Sequence, residues 1–276
     1  MRKLLFTLLL APLGCSAAPP PEPAPVAPEP AAPPVASAPP VAPEPAPIAS
    51  AAPAVATAEP SAKGPCPAGM VLIPGGEYVF GLLKEKVTVK SFCLDVNEVT
   101  SVEYAACVKG GKCDASFVTA CDPSTYEKPG QEKMPMVCVD FKQAESYCSA
   151  QNKRLASTEE WEWAARGEGE GRKHPWGAAE PSDQLCWSGK GARPGPCAVG
   201  SFPAGDNPQG VHDLLGGTGE WTTSRQDASS SNRIGRGASW KDGDRNMFKA
   251  DRQGSFKVNY RCGFLGIRCA SASPVP

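Results

Sequence analysis

The chain is poor in the residues that most protein metal centres use. It contains two histidines, His174 and His212, and no two of its cysteines are spaced as C-x-x-C. Zinc knuckles need closely spaced cysteine and histidine pairs, and a three-histidine iron site needs more imidazoles than the chain has. We therefore expect neither kind of metal site.

A surplus of charge is also missing. The sequence has 28 basic and 29 acidic residues, a formal net charge of -1 at pH 7, and the two signs are interspersed. Proteins that bind nucleic acids present a basic patch or stripe to the phosphates. Because the sequence shows no such stripe, no nucleic-acid partner is expected.

Long apolar runs are absent beyond the N-terminus, since no later segment approaches the roughly 18 apolar residues of a membrane-spanning helix. At the N-terminus, two basic residues precede the apolar segment 4–10, and Leu-Gly-Cys ending at Cys15 follows. This pattern is typical of a secretory signal over residues 1–15 with a lipoprotein-type site, in which Cys15 becomes the lipidated N-terminus. Pro12 departs from that site, so plain cleavage near Ala17 remains an alternative.

We therefore expect export to a bacterial cell envelope, as an outer-membrane or periplasmic lipoprotein whose lipid anchor contacts the membrane. Residues 16–64 are rich in proline and alanine, which predicts an extended linker without a core. Residues 65–271 have the composition of a globular domain large enough to bury one sizeable core. A short tail follows at 272–276.

Cysteine is abundant, with twelve in the chain. In an exported protein most of them are expected to form disulfides. If Cys15 carries lipid, eleven remain, and an odd number leaves at least one without an intramolecular disulfide. Four pairs are close in sequence, but spacing alone leaves the connectivity open: Cys107/Cys113, Cys138/Cys148, Cys186/Cys197 and Cys262/Cys269.

Local patterns predict short strands and three helices. The strands are expected at 70–73, 77–80, 87–89 and 92–95, with a further apolar strand over 134–139. Each helix is predicted by a capping box, in which Ser, Thr or Asp is followed three residues later by Glu or Gln. The remainder is expected to be turn-rich. The three capping boxes are Thr100/Glu103, Asp140/Gln143 and Ser157/Glu160.

The segment 211–225, V-H-D-L-L-G-G-T-G-E-W-T-T-S-R, places three glycines between Asp213 and Glu220. Glycine inside a helix or strand costs about 1 kcal/mol relative to alanine, so this density indicates a tight turn. Two carboxylates flanking a turn of backbone carbonyls offer the oxygen ligands that calcium prefers. The alternative is an ordinary glycine turn, with both acids in solvent, ahead of a buried Trp221.

Eight segments, in the same order along the chain, resemble the formylglycine-generating enzyme (sulfatase-modifying factor) family. Together they span essentially all of Cys66–Ala270. The resemblance implies an α+β, disulfide-rich variant of the C-type lectin fold, with little regular secondary structure and much ordered loop. The segments are M-V-L-I-P-G-G-E-Y, E-V-T-S-V-E-Y-A, P-M-V-C-V-D-F-K-Q-A-E-S-Y-C, K-R-L-A-S-T-E-E-W-E-W-A-A-R-G, H-P-W-G, L-L-G-G-T-G-E-W-T, R-G-A-S-W and L-G-I-R-C.

For the glycine turn, the resemblance implies a calcium site built from a side-chain oxygen, two backbone carbonyls and a glutamate. Calcium is therefore the expected cofactor, in a structural role, and the charge of Asp213 should tighten its binding. The family pattern G-N-x-W-E-W is G-G-T-G-E-W here, so the frame departs although the ligand types match. A second family calcium site is not expected, because Leu185 and Cys186 stand where it needs oxygen ligands. The expected ligands are Asp213, Gly216, Thr218 and Glu220.

Catalysis in the family depends on two cysteines that bind copper(I), for which paired thiolates are fitting ligands. The resemblance puts Asp242 and Met247 at those two positions. Because a carboxylate and a thioether do not replace a thiolate pair, copper is not expected and no catalytic residue is assigned. The resemblance also implies a disulfide between Cys148 and Cys269.

We therefore expect a non-catalytic binding module that takes a protein, peptide or envelope ligand. One alternative is an enzyme, either a divergent formylglycine-generating oxidase using another thiol such as Cys262 on sulfatase-type cysteine peptides, or other chemistry at two acids of the cleft. Another is a domain that only scaffolds its neighbours. The residues expected to line the ligand cleft are Trp240, Asp242, Asp244, Arg245, Arg252 and Tyr260.

Overall fold

The computed structural model describes residues 66–81 and 84–273. The predicted signal, the lipidation site Cys15, the linker and the last three residues of the tail lie outside the described residues. Within the described part, no helix is both long enough and apolar enough to cross a membrane.

Ten short strands occur in the described residues. Most have four residues, because the chain turns frequently at glycine and proline. They are β1 (Met70–Ile73), β2 (Gly76–Val79), β3 (Lys86–Val89), β4 (Phe92–Asp95), β5 (Arg154–Leu155), β6 (Gly219–Arg225), β7 (Arg233–Arg236), β8 (Gln253–Phe256), β9 (Leu265–Gly266) and β10 (Cys269–Ala272).

These strands form three sheets. One has the order β1-β4-β10-β5, so the first and last strands of the domain lie in the same sheet. The hairpin β2-β3 is the second sheet. The third has the order β8-β7-β6-β9, with β6 parallel to β9 and antiparallel to β7.

Three helices occur in the described residues, and the capping boxes that predicted them are all present. In each box the N-cap side chain accepts a hydrogen bond from the backbone of the third helical residue, which stabilises a helix by about 0.5–2 kcal/mol. The caps are Thr100, Asp140 and Ser157. The helices are α1 (Ser101–Lys109), α2 (Phe141–Ala150) and α3 (Thr158–Ala165).

The four strands predicted near the start of the domain are confirmed, but the strand predicted over 134–139 is wrong. That segment is buried, yet its only ladder contact is an isolated bridge between Thr100 and Pro135. The backbone N–H of Met136 donates to Val99, whereas that of Cys138 donates to Cys262, so two separate segments satisfy its backbone. Cys138 also has a φ of 67°, which interrupts extended backbone.

The second half of the domain is more regular than its glycine content predicted. Strand β6, the longest, begins inside the glycine segment at Gly219. Its first residues pair with β9 on one side and with β7 on the other. This pairing supplies hydrogen-bond partners for the backbone, although glycine has a low propensity for strands.

Five disulfides join ten of the described cysteines, and Cys262 lies outside these five bridges. Two of the four pairs close in sequence are bonded, whereas the other two are not, because the chain brings more distant cysteines together. The longest loop, 121 residues, is closed by Cys148–Cys269, the pair that the resemblance implies. The bridges are Cys66–Cys93, Cys107–Cys113, Cys121–Cys138, Cys148–Cys269 and Cys186–Cys197.

Two hydrophobic clusters fill the interior. One contains Trp161 of α3, and the other contains Trp221 of β6. The neighbouring residue of β6, Glu220, reaches the first cluster, where the indole N–H of Trp161 donates to it. Because successive side chains of a strand point to opposite faces, β6 contributes to both clusters. The start of β6 is therefore held in place from two sides.

Candidate cation site and ligand cleft

The glycine segment forms the tight turn that the sequence predicts. Gly216 has a φ of 89° and Gly217 a φ of 60°, which is backbone that favours glycine. Space is also limiting, because a Cβ on Gly216 would lie 2.8 Å from the carbonyl oxygen of Cys186. A Cβ on Gly217 would lie 3.0 Å from Oε2 of Glu98. The turn therefore packs directly against a buried carboxylate.

Glu98 is a member of this site that the sequence analysis missed. It is 1 % exposed, and its Oε1 accepts hydrogen bonds from the backbone N and the hydroxyl of Thr218, at 2.7 and 2.5 Å. Its Oε2 is buried and has no hydrogen-bond partner among the described residues. A buried carboxylate oxygen without a hydrogen-bond partner is costly, so Oε2 of Glu98 is a candidate ligand atom.

Glu220 and Asp213 complete a buried group that we call the turn cluster: Glu98, Asp213, Glu220 and Arg268. Both oxygens of Glu220 are engaged, Oε1 by Arg268 at 2.9 Å and Oε2 by Trp161 at 2.7 Å. Oδ2 of Asp213 accepts from the backbone N of Gly200 at 2.7 Å. Within this cluster, three carboxylates therefore face one guanidinium.

Burial and the excess of carboxylates over guanidinium groups shift the pKa values of the turn cluster. Burial, reinforced by the neighbouring Asp213, raises the pKa of Glu98 well above its usual range. Burial also raises the pKa of Asp213 and of Glu220, and Arg268 opposes both effects. Although burial alone would lower it, the carboxylates of Glu220, Glu98 and Asp213 raise the pKa of Arg268. A cation would relieve this excess of negative charge.

In the turn cluster, the carboxylate oxygen that has no partner among the described residues belongs to Glu98 and not to the expected ligand Glu220. Glu220 is committed to Arg268 and Trp161, whereas Glu98 offers an unpartnered oxygen beside Asp213 and the turn. Among the described residues, no group of three or more His, Cys, Asp or Glu side chains has the geometry of a metal site. Such groups consist of side chains only, whereas calcium sites also use backbone carbonyl oxygens, and the expected set includes those of Gly216 and Thr218.

A cavity of about 600 Å³, which we call the cleft, lies beside β7, β8 and the loop 237–244. Of the six residues expected to line it, Asp242, Asp244 and Arg252 do. The other three surround it. The indole N–H of Trp240 is buried and donates to the carbonyl of Gly263 at 2.8 Å, so this side chain supports the wall from behind.

Tyr260 and Arg245 also lie outside the lining of the cleft. The ring of Tyr260 stacks on Phe256, which does line it, with the centroids 5.3 Å apart. Arg245 is exposed on the 3-10 turn Arg245–Met247 that borders the cavity. Three of the six expected residues therefore line the cavity, and the other three lie next to it.

The two positions that the resemblance assigns to catalytic cysteines both face the cleft. Asp242 accepts hydrogen bonds from the backbone N and the hydroxyl of Ser239, at 2.8 and 2.9 Å. Met247 accepts one from the guanidinium of Arg252 at 3.3 Å. Among the described residues that line the cleft there is no cysteine, and Cys262 is 3 % exposed.

Two glycines shape the floor of the cleft, and the sequence analysis missed them. Gly235 of β7 pairs with Gly254 of β8, and the ring of Phe256 lies over both. A Cβ on either glycine would lie 2.7 Å from that ring. A pair of strand glycines is a sequence signal for close approach by another group, but only the register shows that these two are partners.

The family model described as "Sulfatase-modifying factor enzyme 1-like domain" matches residues 55–273. The chain belongs to this family. The eight-motif resemblance and the fold class that it implies are thereby confirmed.

Relatives in this family differ in activity. The cattle (Bos taurus) protein named inactive C-alpha-formylglycine-generating enzyme 2 is 29% identical over 275 residues, covering 75% of this chain and 89% of the relative. Hercynine oxygenase of Mycolicibacterium smegmatis is 41% identical over 101 residues, 36% of this chain and 23% of the relative. The crystal structure of CarF shares the fold, with a TM-score of 0.60, 17% identity, and coverage of 74% of this chain and 97% of CarF.

Proposed function

We propose that this chain is a non-catalytic member of the sulfatase-modifying factor family whose cleft binds a protein, peptide or envelope ligand. One observation carries the proposal: Asp242 and Met247 line the cleft at the positions where the resemblance places the copper-binding cysteines. A cavity of about 600 Å³ is in the range of ligand sites, and its walls are otherwise intact. Similarity to relatives named inactive supports the same conclusion.

Export and lipid anchoring at Cys15 are part of this proposal. Five disulfides in the described residues support an oxidising compartment, since such bridges are rare in reducing cytosol. Metabolic labelling with a radioactive fatty acid should mark the native protein. Cys15→Ser should lose the label, and equal labelling of both proteins would rule out lipidation at Cys15.

Calcium is the proposed structural cofactor. Glu98 and Asp213 would supply carboxylate oxygens, and the carbonyls of Gly216 and Thr218 would complete the protein ligands. The ion would neutralise buried charge and hold the turn against Glu98. It would have no part in a reaction.

The alternative is a divergent formylglycine-generating oxidase, and it can be tested directly. The full chain would receive copper, reductant, oxygen and a sulfatase-type C-x-P-x-R peptide, and mass spectrometry would follow the peptide cysteine. We expect no conversion, with an active family member as the positive control. Conversion to formylglycine would overturn the non-catalytic proposal, and Cys262 would then be the first cysteine to substitute.

The binding proposal needs a variant that fills the cleft without disturbing the fold. Gly243 lines the cleft, and a Cβ there would meet no atom closer than 3.6 Å. Gly195 lies outside the cleft and has a nearest contact of 3.6 Å, so Gly195→Trp is a matched control for Gly243→Trp.

Peptides would be selected from a random display library on the full chain. Gly243→Trp should abolish binding of the selected peptides, whereas Gly195→Trp should retain it. Selected peptides that bind both variants equally would place the ligand site elsewhere on the domain and would overturn the assignment of the cleft.

A further inference from the structure

Three cysteines from distant segments of the chain lie next to one another: Cys121, Cys138 and Cys262, which we call the three-cysteine cluster. Cys121 and Cys138 form one of the five bridges. The backbone N–H of Cys121 donates to Sγ of Cys138 at 3.1 Å, and the backbone N–H of Cys138 donates to the carbonyl of Cys262 at 3.0 Å. Cys138 is therefore adjacent to both of the other cysteines.

The segments that carry the two outer cysteines also pack against each other. A Cβ on Gly263 would lie 2.5 Å from the carbonyl oxygen of Pro123, so the chain beside Cys262 touches the chain beside Cys121. Cys262 itself is 3 % exposed and belongs to the hydrophobic cluster that contains Trp221. The three cysteines therefore share one region of the domain.

The backbone geometry suits a bridge between Cys138 and Cys262 as well. Residues of neighbouring strands that exchange backbone hydrogen bonds have Cα atoms about 5.5 Å apart. Disulfides form between cysteines whose Cα atoms are about 4.4–6.8 Å apart. Because a backbone hydrogen bond joins Cys138 to Cys262, Cys138 lies within reach of a second bridging partner.

The cluster contains an odd number of sulfur atoms, so one bridge within it leaves one thiol. In the described part of the chain, the remaining cysteines form the other four bridges. With Cys121 bonded to Cys138, the thiol is that of the buried Cys262. With Cys138 bonded to Cys262, the thiol would be that of Cys121, which is half-buried. The choice of bridge therefore decides whether the thiol lies in the interior or near solvent.

We infer that the thiol is relayed outward by exchange within this cluster. Cys262 loses its proton, and its thiolate attacks Sγ of Cys138. The bond between Cys138 and Cys262 forms, the bond between Cys121 and Cys138 breaks, and Cys121 leaves as a thiolate that takes up a proton. One disulfide replaces another, so no oxidant or reductant is consumed. The exchange does not depend on what the cleft binds.

The exchange has two consequences for the domain. Phe264, two residues after Cys262, lines the cleft, so the second bridge ties this wall to the buried Cys138 and releases the segment of Cys121. The released thiol of Cys121 is a modification site for electrophiles and for low-molecular-weight disulfides, since thiolates react with both. The cluster is therefore a thiol-sensitive element beside the cleft.

The test uses the full chain carrying Cys15→Ser, so that the odd thiol belongs to the three-cysteine cluster. The folded, oxidised protein is incubated at pH 8 with N-ethylmaleimide, digested without reduction and mapped by mass spectrometry. Label should accumulate on Cys121 together with a linked Cys138–Cys262 peptide pair, because alkylation traps the thiol that the exchange releases. Label confined to Cys262, or no label on the folded chain, would overturn the inference.

A matched bridge in the same protein is the internal control. Cys107–Cys113 also joins a buried cysteine to a half-buried one and closes a short loop. It should carry at least about tenfold less label than Cys121, since local opening exposes a bridge but supplies no attacking thiol. Equal labelling of Cys113 and Cys121 would overturn the inference, because general opening or incomplete bridge formation would then explain both.

Two substitutions fix the bridge in one pattern or the other. Cys262→Ser removes the attacking sulfur, so Cys121 should stay unlabelled, and label there would show another source of the thiol. Cys121→Ser removes the leaving sulfur, so its digest should contain the Cys138–Cys262 pair. Thiols at both Cys138 and Cys262 in that variant would show that their sulfurs do not meet. Tryptophan fluorescence checks that each variant is folded, and the mapping of the parent chain does not depend on either.

The kinetics separate exchange within one chain from exchange between chains. Formation of the Cys138–Cys262 pair should have the same rate constant at every protein concentration, because the attacking and attacked sulfurs belong to one molecule. A rate constant that rises in proportion to the protein concentration would overturn the inference.

Discussion

The turn cluster and the cleft both place acidic side chains in or next to the sheet β8-β7-β6-β9, but their surroundings differ. In the turn cluster, Glu98, Asp213 and Glu220 are at most 5 % exposed, and each is bound by groups from elsewhere in the chain. In the cleft, Asp242 and Asp244 are more exposed and accept hydrogen bonds from residues two or three positions away.

This difference predicts which acids tolerate substitution. A buried carboxylate must retain its partner, because an unpaired charge in the interior is strongly destabilising. A half-exposed acid that binds its own loop has no distant partner, so its position can change at little cost. We therefore expect substitutions in the turn cluster to cost more stability than substitutions at Asp242 or Asp244.

The largest expected effect is a difference in the free energy of unfolding between a variant of the turn cluster and a variant of the cleft. Arg268→Met leaves the turn cluster with three buried carboxylates and no cation, so we expect a loss of about 3–5 kcal/mol in the free energy of unfolding, enough to unfold a marginal domain. Arg252→Met in the cleft should change it by less than about 0.5 kcal/mol. Urea denaturation followed by tryptophan fluorescence measures both. Equal losses would show that burial does not distinguish the two regions.

The second prediction concerns calcium. A chelator should lower the Tm of the domain, and calcium at about a hundred times its Kd should restore roughly 5–10 °C. Glu220→Ala should abolish that response, but it also removes the partner of Arg268 and Trp161. Glu98→Gln is the cleaner change, because it removes the charge and keeps an oxygen for Thr218.

Glu98→Gln should therefore melt at the same temperature with and without calcium. Asp242→Asn, in the cleft, should keep the full response of the unmodified chain. Differential scanning calorimetry measures all three proteins. Identical melting of the unmodified chain with and without the chelator would rule out calcium in the turn cluster.

A smaller effect is expected at the floor of the cleft. Gly235→Ala puts a Cβ 2.7 Å from the ring of Phe256, which must move, and we expect a loss of about 1–2 kcal/mol. Affinity for the peptides selected from the display library should fall with it. Gly195→Ala, whose Cβ has room and which lies outside the cleft, is the control. An unchanged affinity in Gly235→Ala would show that the position of Phe256 does not matter for binding.

The smallest effect tests an acid that belongs to neither region. Glu168 is half-buried, and burial, followed by the charge of Glu170, raises its pKa from 4.5 to about 7. The folded state therefore binds a proton more tightly than the unfolded state does. The stability that this provides is fully present below pH 4.5 and is lost as the pH rises through about 7.

Between pH 5.5 and pH 8, the Tm of the unmodified chain should therefore fall by a degree or two more than that of Glu168→Gln. Glu145→Gln, an exposed acid on α2, should behave as the unmodified chain does. Parallel melts across the pH series make the comparison, and indistinguishable pH profiles for all three proteins would contradict the shift at Glu168.

Sequence analysis was most accurate where the deciding interactions are local. The capping boxes at Thr100, Asp140 and Ser157 involve residues three positions apart, and all three helices begin where predicted. The prediction of a strand over 134–139 was wrong. The apolar pattern of this segment reflects its burial, but its backbone hydrogen-bond partners come from two different segments and form no ladder.

In the candidate sites, too, local features were predicted and distant contacts were not. The glycine turn was predicted from its own residues, but Glu98 lies 120 residues earlier than its partner Thr218 and carries no local signal of its role. The cleft region followed from the motif resemblance. Its floor did not, since the pairing of Gly235 with Gly254 depends on strand register.

By itself, the amino-acid sequence determined the family, the helix starts, the glycine turn and the absence of a thiolate pair at Asp242 and Met247. Those features depend on residue identity at a position or on contacts within one turn of backbone. The tertiary structure alone decided that Glu98 faces the turn, that Cys121 pairs with Cys138, and that a ring lies on two glycines. Buried polar groups and close contacts need partners, and only the folded chain determines which distant segments supply them.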